Sequence, residues 1–195
     1  YAAFTPLAPG SRYGKLTAQV ERDAAGKLVY GWKPSTEPIS TAQERELIAD
    51  GKIEAEEARF QLRDAQTGKP VDLHKGSAHW NAYRKKWLAV AVQMGGSSSF
   101  LGEVWLAEAA EPTGPWHWAR KIVTHEKYTF YNPVHHPFLD AEGGKVIYFE
   151  GTYANTFSGN SDQTPRYDYN QIMYRLDLSD GRLPQPLGPT SAPGR

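Results

Sequence analysis

The sequence predicts an all-β fold, and three observations carry that expectation. Aromatic residues make up 12% of the 195 residues, alongside 18 glycines and 14 prolines, the composition of short strands joined by many turns. Two runs, 87–92 and 145–149, are apolar without alternation, which fits strands covered on both faces. The segment Asn132-Pro133-Val134-His135-His136-Pro137-Phe138 contains two prolines, each lacking the N–H that a ladder needs, so it reads as an edge strand.

Bulk properties narrow the classes further. The chain of 21.8 kDa has room for one ordinary domain. Lys+Arg and Asp+Glu both number 22, so no global field draws nucleic acid or an anionic membrane. Cysteine is absent, which excludes a disulfide framework, a thiolate metal site and a cysteine nucleophile. No window approaches the ~18 consecutive apolar residues of a membrane helix, so no membrane span is expected. The start at Tyr1, without an initiator Met or a signal pattern, predicts that an N-terminal segment precedes it.

In chain order, residues 13–21 and 27–32 read as a hairpin across the Arg22-Asp23-Ala24-Ala25-Gly26 turn. Residues 40–59 change to Ala, Glu, Gln, Arg and Leu. With a capping box at Ser40/Gln43 or Thr41/Glu44 and a stop at Gly51, they predict a short helical insertion whose acids form a solvated face. A strand near 58–62 follows. Residues 77–83, 87–93, 102–109 and 116–124 then read as a four-stranded meander, and 133–140, 145–149 and 169–178 as the next.

An edge strand opening a meander whose second strand is doubly buried describes one blade of a β-propeller. His79 and His136, 57 residues apart, each precede the doubly apolar strand of their unit. The expectation is a partial β-propeller over 1–182, with blade units at about 12–73, 77–124 and 131–180, and a Pro/Gly-rich tail over 183–195. Closed rings have four to eight blades. About three blades therefore make an incomplete ring, to be completed by a missing N-terminal segment or another protein chain.

Antiparallel neighbours bring the start of the first strand, the end of the second and the start of the third to one rim. That rim is expected to gather His79, Asn81, Asn132, His135, Glu150, Tyr153 and Asp168. Glu150, at the end of an apolar strand with Gly151 behind it, is the expected general acid, and Asp168 the matching base. The competing reading pairs Glu150 with an arginine at a strand end and Asp168 with Arg166. His79, Asn81, Asn132, His135 and Tyr153 are the expected substrate contacts. Neither zinc spacing nor a nucleophile elbow, P-loop or dinucleotide fingerprint is present. No cofactor is demanded, although His79 with one of His135 and His136 would suit a calcium ion sharing oxygen ligands in the channel. Tyr128, Phe130, Tyr131, Tyr153, Phe157, Tyr167 and Tyr169 fall in the loops of the last unit, where aromatic faces beside carboxylates and amides suit sugars.

The residues Gly76-Ser77-Ala78-His79-Trp80-Asn81-Ala82-Tyr83-Arg84-Lys85-Lys86-Trp87, then Gly102 to Ala109, then Gly114-Pro115-Trp116, resemble blades of the five-bladed β-propeller glycoside hydrolases, the family 43-like group and its relatives. The resemblance covers roughly 13–178. It implies a propeller acting on a polysaccharide or oligosaccharide through channel-facing carboxylates, and an extracellular or periplasmic location. The inner strands here present His79, Asn81, Asn132 and His135 or His136 instead of acids. Two functions follow as expectations: a glycoside hydrolase with a rim pocket, or a non-catalytic propeller module that binds glycan or protein or assembles with another chain. A pair of carboxylates ~5 to 9.5 Å apart marks the first, and aromatic platforms without such a pair mark the second.

Overall fold

The computed structural model describes residues 1–156, 158–164, 168–183 and 187. Phe157 and Tyr167 of the expected loop cluster, Arg166 of the competing ion pair, and most of the expected tail lie outside the described residues. Within them the chain is predominantly β, with three sheets and one α-helix. It divides into two compact units, Tyr1–Gln61 and Leu62–Arg195.

In the first unit, β1 (Ala2–Thr5) pairs antiparallel with β2 (Gly31–Pro34), Ala2 facing Pro34 and Thr5 facing Gly31. The strand expected over 13–21 does not form. Gly14 to Ala18 close a helical turn, with the Ala18 N–H donating to the Gly14 carbonyl at 2.7 Å. Only isolated bridges remain, Leu7 to Val20 and Arg22 to Leu28. The helix α1 (Thr41–Ala49) starts at Ser40, whose hydroxyl accepts from the Gln43 N–H while the Gln43 side chain accepts from the Ser40 N–H. A 3-10 turn, Ala55–Glu57, follows. Leu7, Ala18, Leu28, Leu47 and Ile53 make the core.

One acid of the helical stretch departs from the expected solvated face. Glu44 is fully buried, and its carboxylate accepts from the Tyr30 hydroxyl, the Arg59 and Phe60 N–H groups and the Gln61 amide at 2.5 to 3.0 Å. A buried carboxylate is tolerable because every oxygen is satisfied by donors.

In the second unit, β4 (Leu73–Asn81), β5 (Lys86–Gln93), β6 (Glu103–Ala109) and β7 (Trp118–Thr124) form an antiparallel meander. The short β3 (Arg63–Asp64) runs parallel to β7 at its outer edge. A second meander joins β8 (Val134–His135), β9 (Val146–Ala154) and β10 (Tyr169–Asp177). The alternation of strand side chains sorts the two doubly apolar runs. Leu88, Val90 and Val92 of β5 and Ile147 and Phe149 of β9 share one core with Leu101, Val104, Leu106 and Phe130. On the other face of β5, Trp87, Ala89 and Ala91 sit opposite Trp80, Ala78 and Gly76 of β4 and opposite Ala109, Ala107 and Trp105 of β6.

Two strands start earlier or run on further than the sequence suggests, and the two-proline strand is much shorter. β4 begins at Leu73 instead of Ser77, past an irregularity between Leu73 and Gly76. β9 runs on to Ala154, so Gly151 is an interior strand residue and not a turn. Its missing side chain makes room for Phe130, whose ring would lie 2.7 Å from an added Cβ. In the two-proline segment only Val134 and His135 pair, Pro133 preceding the strand and Pro137 opening a 3-10 turn, Pro137–Leu139.

Candidate functional site

The seven expected site residues fall into separate places. His79 and His135 do meet: their rings stand edge to face at 5.4 Å, and the His135 N–H donates to the Ser77 hydroxyl at 2.8 Å, holding β8 against β4. Burial, with the neighbouring His135 imidazole adding to it, holds His79 below the usual histidine range. His135 is itself fully buried, and its Nε2 lies 2.8 Å from an Asp140 carboxylate oxygen. The Asp140 partnership was not foreseen. Its only trace in the sequence is an acid five residues on, across the turn that Pro137 forces.

Asn81 sits at the opposite end of β4 from the expected rim, because the strand starts four residues earlier than predicted. It is buried and structural, donating to the Gly144 carbonyl at 2.7 Å and accepting from the Arg84 N–H at 2.8 Å. Asn132 is exposed in a left-handed conformation, φ 49°, beside a cavity that His74, Lys75, Gly76, Pro133 and Val134 also line. Tyr153 packs edge-on against His125 and near Tyr128, both centroids at 4.7 Å, on the core side of β9.

Glu150 and Asp168 are not a pair. Glu150 faces Met173, while Tyr169 faces Ala154, four residues further along β9. At about 3.3 Å per residue Asp168 therefore lies more than ~13 Å away along the sheet, outside the ~5 to 9.5 Å window for two glycosidase carboxylates. Glu150 also stands mid-strand instead of at a strand end, since β9 continues past it. Its carboxylate lies 3.4 Å from His136 Nε2. Among the described residues no group of three or more His, Asp or Glu side chains is arranged to hold a metal ion, so the expected calcium finds no such ligand set there.

Glu150 has other company. Strand register places Val134, Tyr148, Glu150, Thr152, Tyr169, Gln171, Met173 and Arg175 on one face of the β8–β9–β10 sheet. The far side of that sheet packs into the core through Phe149 and Tyr174, stacked at 5.2 Å. On the Glu150 face Tyr169 is 56% exposed, Gln171, Met173 and Arg175 are exposed, and Phe138, 81% exposed, stands edge-on to His136 at 5.4 Å. One accessible aromatic ring, Phe138, thus stands at the Glu150–His136 end of the row, and a second, Tyr169, lies four residue positions along the sheet from Glu150.

No protein-family model matches the chain, and no curated protein is similar to it in sequence. No helix among the described residues is long and apolar enough to cross a membrane.

Proposed function

We propose that the chain contributes blades to a β-propeller and binds a glycan without cleaving it, through the face of the β8–β9–β10 sheet that carries Glu150. Two consecutive antiparallel meanders support the propeller. Their first strands, β4 and β8, each pair on one side within their own sheet and touch each other through Ser77 and His135. The resemblance of 76–87, 102–109 and 114–116 to the propeller glycoside hydrolases points the same way.

The observation that carries the binding reading is the line of exposed Tyr169, Gln171, Met173 and Arg175 along the sheet face that holds Glu150, with His136 beside Glu150 and exposed Phe138 edge-on to His136. Sugars present C–H patches that stack on aromatic faces and hydroxyls that bond to amides, carboxylates and guanidinium groups. With Asp168 outside the catalytic window, Glu150 serves as a hydroxyl acceptor. Affinity electrophoresis through neutral and acidic polysaccharides tests this. At least one polysaccharide is expected to retard the protein, and Tyr169→Ala to weaken that retention by about fivefold or more. Retention indifferent to Tyr169 and Glu150 would refute it.

A second reading, assembly with another protein chain, is favoured by Trp80. It lies 51% exposed on β4, edge-on to Trp87 at 6.4 Å and beside Ala78 and Gly76. An apolar strip on an edge strand is a common docking feature.

A further inference from the structure

β10 is the outer strand of its sheet, and among the described residues no strand pairs with its far edge. The ladder fixes which backbone groups that edge presents. On β9 the Ala154 N–H and C=O exchange hydrogen bonds with Thr129, and the Tyr148 carbonyl accepts from the His136 N–H, so even-numbered residues of β9 bond away from β10 and odd-numbered ones toward it. The partners of those odd-numbered residues on β10 are Asn170, Ile172, Tyr174 and Leu176. The N–H and C=O of Gln171, Met173 and Arg175 therefore point outward, with no partner among the described residues. The core-facing side chains tell the same story. Ile172, Tyr174 and Leu176 are only partly buried, whereas Ile147 and Phe149 of β9 are fully buried.

Natural proteins blunt a free edge with proline, lysine or a bulge. β10 has none of these: its register with β9 runs unbroken from Tyr169 to Asp177, and the strand contains neither Pro nor Lys. Its sequence is also self-complementary. We propose that this edge pairs with the same edge of a second copy of the chain, antiparallel about a two-fold axis at Met173. That register overlaps the whole of β10. Residues 171, 173 and 175 then oppose the partner's 175, 173 and 171, each pair exchanging two backbone hydrogen bonds. Met173 meets Met173 at the centre, and the Arg175 guanidinium meets the Gln171 amide, whereas a slip that centred the axis on Arg175 would set two guanidinium groups face to face. Opposed side chains share a face, so the two Glu150 faces become one platform. Only this last consequence rests on the glycan reading, and it favours a polymer long enough to cross both copies.

Sedimentation velocity of the full chain from about 1 to about 200 μM is expected to show the mass rising from 21.8 kDa toward twice that value. Met173→Pro removes an outward N–H and no bond to β9. With its fold checked by circular dichroism, it is expected to weaken the dimer about tenfold or more. Gln171→Glu, facing the partner's Arg175, is expected to tighten the dimer about twofold or more, and Gln171→Lys to weaken it. Trp80→Ser is expected to stay within about twofold of the parent. The chain has no cysteine, so a single introduced thiol reads the register. Across the two-fold axis the Cα atoms of residue 173 lie about 5.5 Å apart, within disulfide reach, while those of residue 171 lie ~13 Å apart. Mild oxidation is expected to cross-link Met173→Cys and not Gln171→Cys, both of which keep the ladder to β9. A monomer at every concentration would overturn the second copy as occupant and leave the edge to a strand of another protein. Dimerisation unmoved by Met173→Pro, or equal cross-linking of the two cysteine variants, would overturn the proposed pairing. Failure of the Tyr169 test on polysaccharides leaves the sedimentation result untouched, so the two readings fail separately.

Discussion

His125 is the residue on which the second unit's pH dependence turns. It lies buried in the aromatic core, stacked on Phe130 at 3.5 Å, with its Nε2 2.5 Å from the Tyr174 hydroxyl. Burial pushes its pKa down to about 4. The unfolded chain binds this proton near the ordinary value of about 6.5, so between about 6.5 and 4 the unfolded state holds more protons than the folded one, and stability falls as pH falls. The stabilisation is full above pH ~6.5 and amounts to about 3 kcal/mol at most. Urea unfolding at pH 7 and pH 4.5 is expected to show His125→Gln losing less stability on acidification than the parent. Equal losses would contradict the account. His125 carries no sequence motif, and its burial arises from long-range packing that no local pattern reports. The same holds for Glu44, which reads locally as one more surface acid of an amphipathic stretch. The approach of Tyr30, Gln61 and the Arg59 and Phe60 N–H groups turns it into a buried hub.

At the scale of elements, the apolar runs were the legible part. Residues 87–92 lie within β5 and 146–149 open β9, and the capped helix begins where Ser40 and Gln43 predict. Ends were illegible wherever polar residues continue a strand by backbone pairing alone. Glu150 marks the end of an apolar run but not of β9, because Gly151 to Ala154 keep their ladder to β10. The same error displaced Asn81, once Leu73 to Gly76 proved to belong to β4. These shifts dispersed the expected rim. Gly151 yields a direct check on the revised strand: Gly151→Ala places a methyl against the Phe130 ring and is expected to destabilise by ~1–3 kcal/mol in urea unfolding. A neutral result would mean that Phe130 does not occupy that space.

At the scale of the whole molecule, balanced charge leaves recognition to local surfaces. Two such surfaces compete for the functional role, the polar and aromatic face around Glu150 and the Trp80 strip of β4. Sedimentation over a range of concentrations separates the assembly reading. Self-association that Trp80→Ser abolishes supports it, and a stable 21.8 kDa monomer at all concentrations removes self-association as the use of that strip. The central claim, binding without cleavage, is tested most directly by incubating the protein with the polysaccharide that retards it and measuring reducing ends beside retention, for the parent and for Glu150→Gln. The account predicts retention by the parent, weakened retention by Glu150→Gln, and no reducing ends from either. Reducing ends released by the parent and lost in Glu150→Gln would contradict it and establish Glu150 as a catalytic acid.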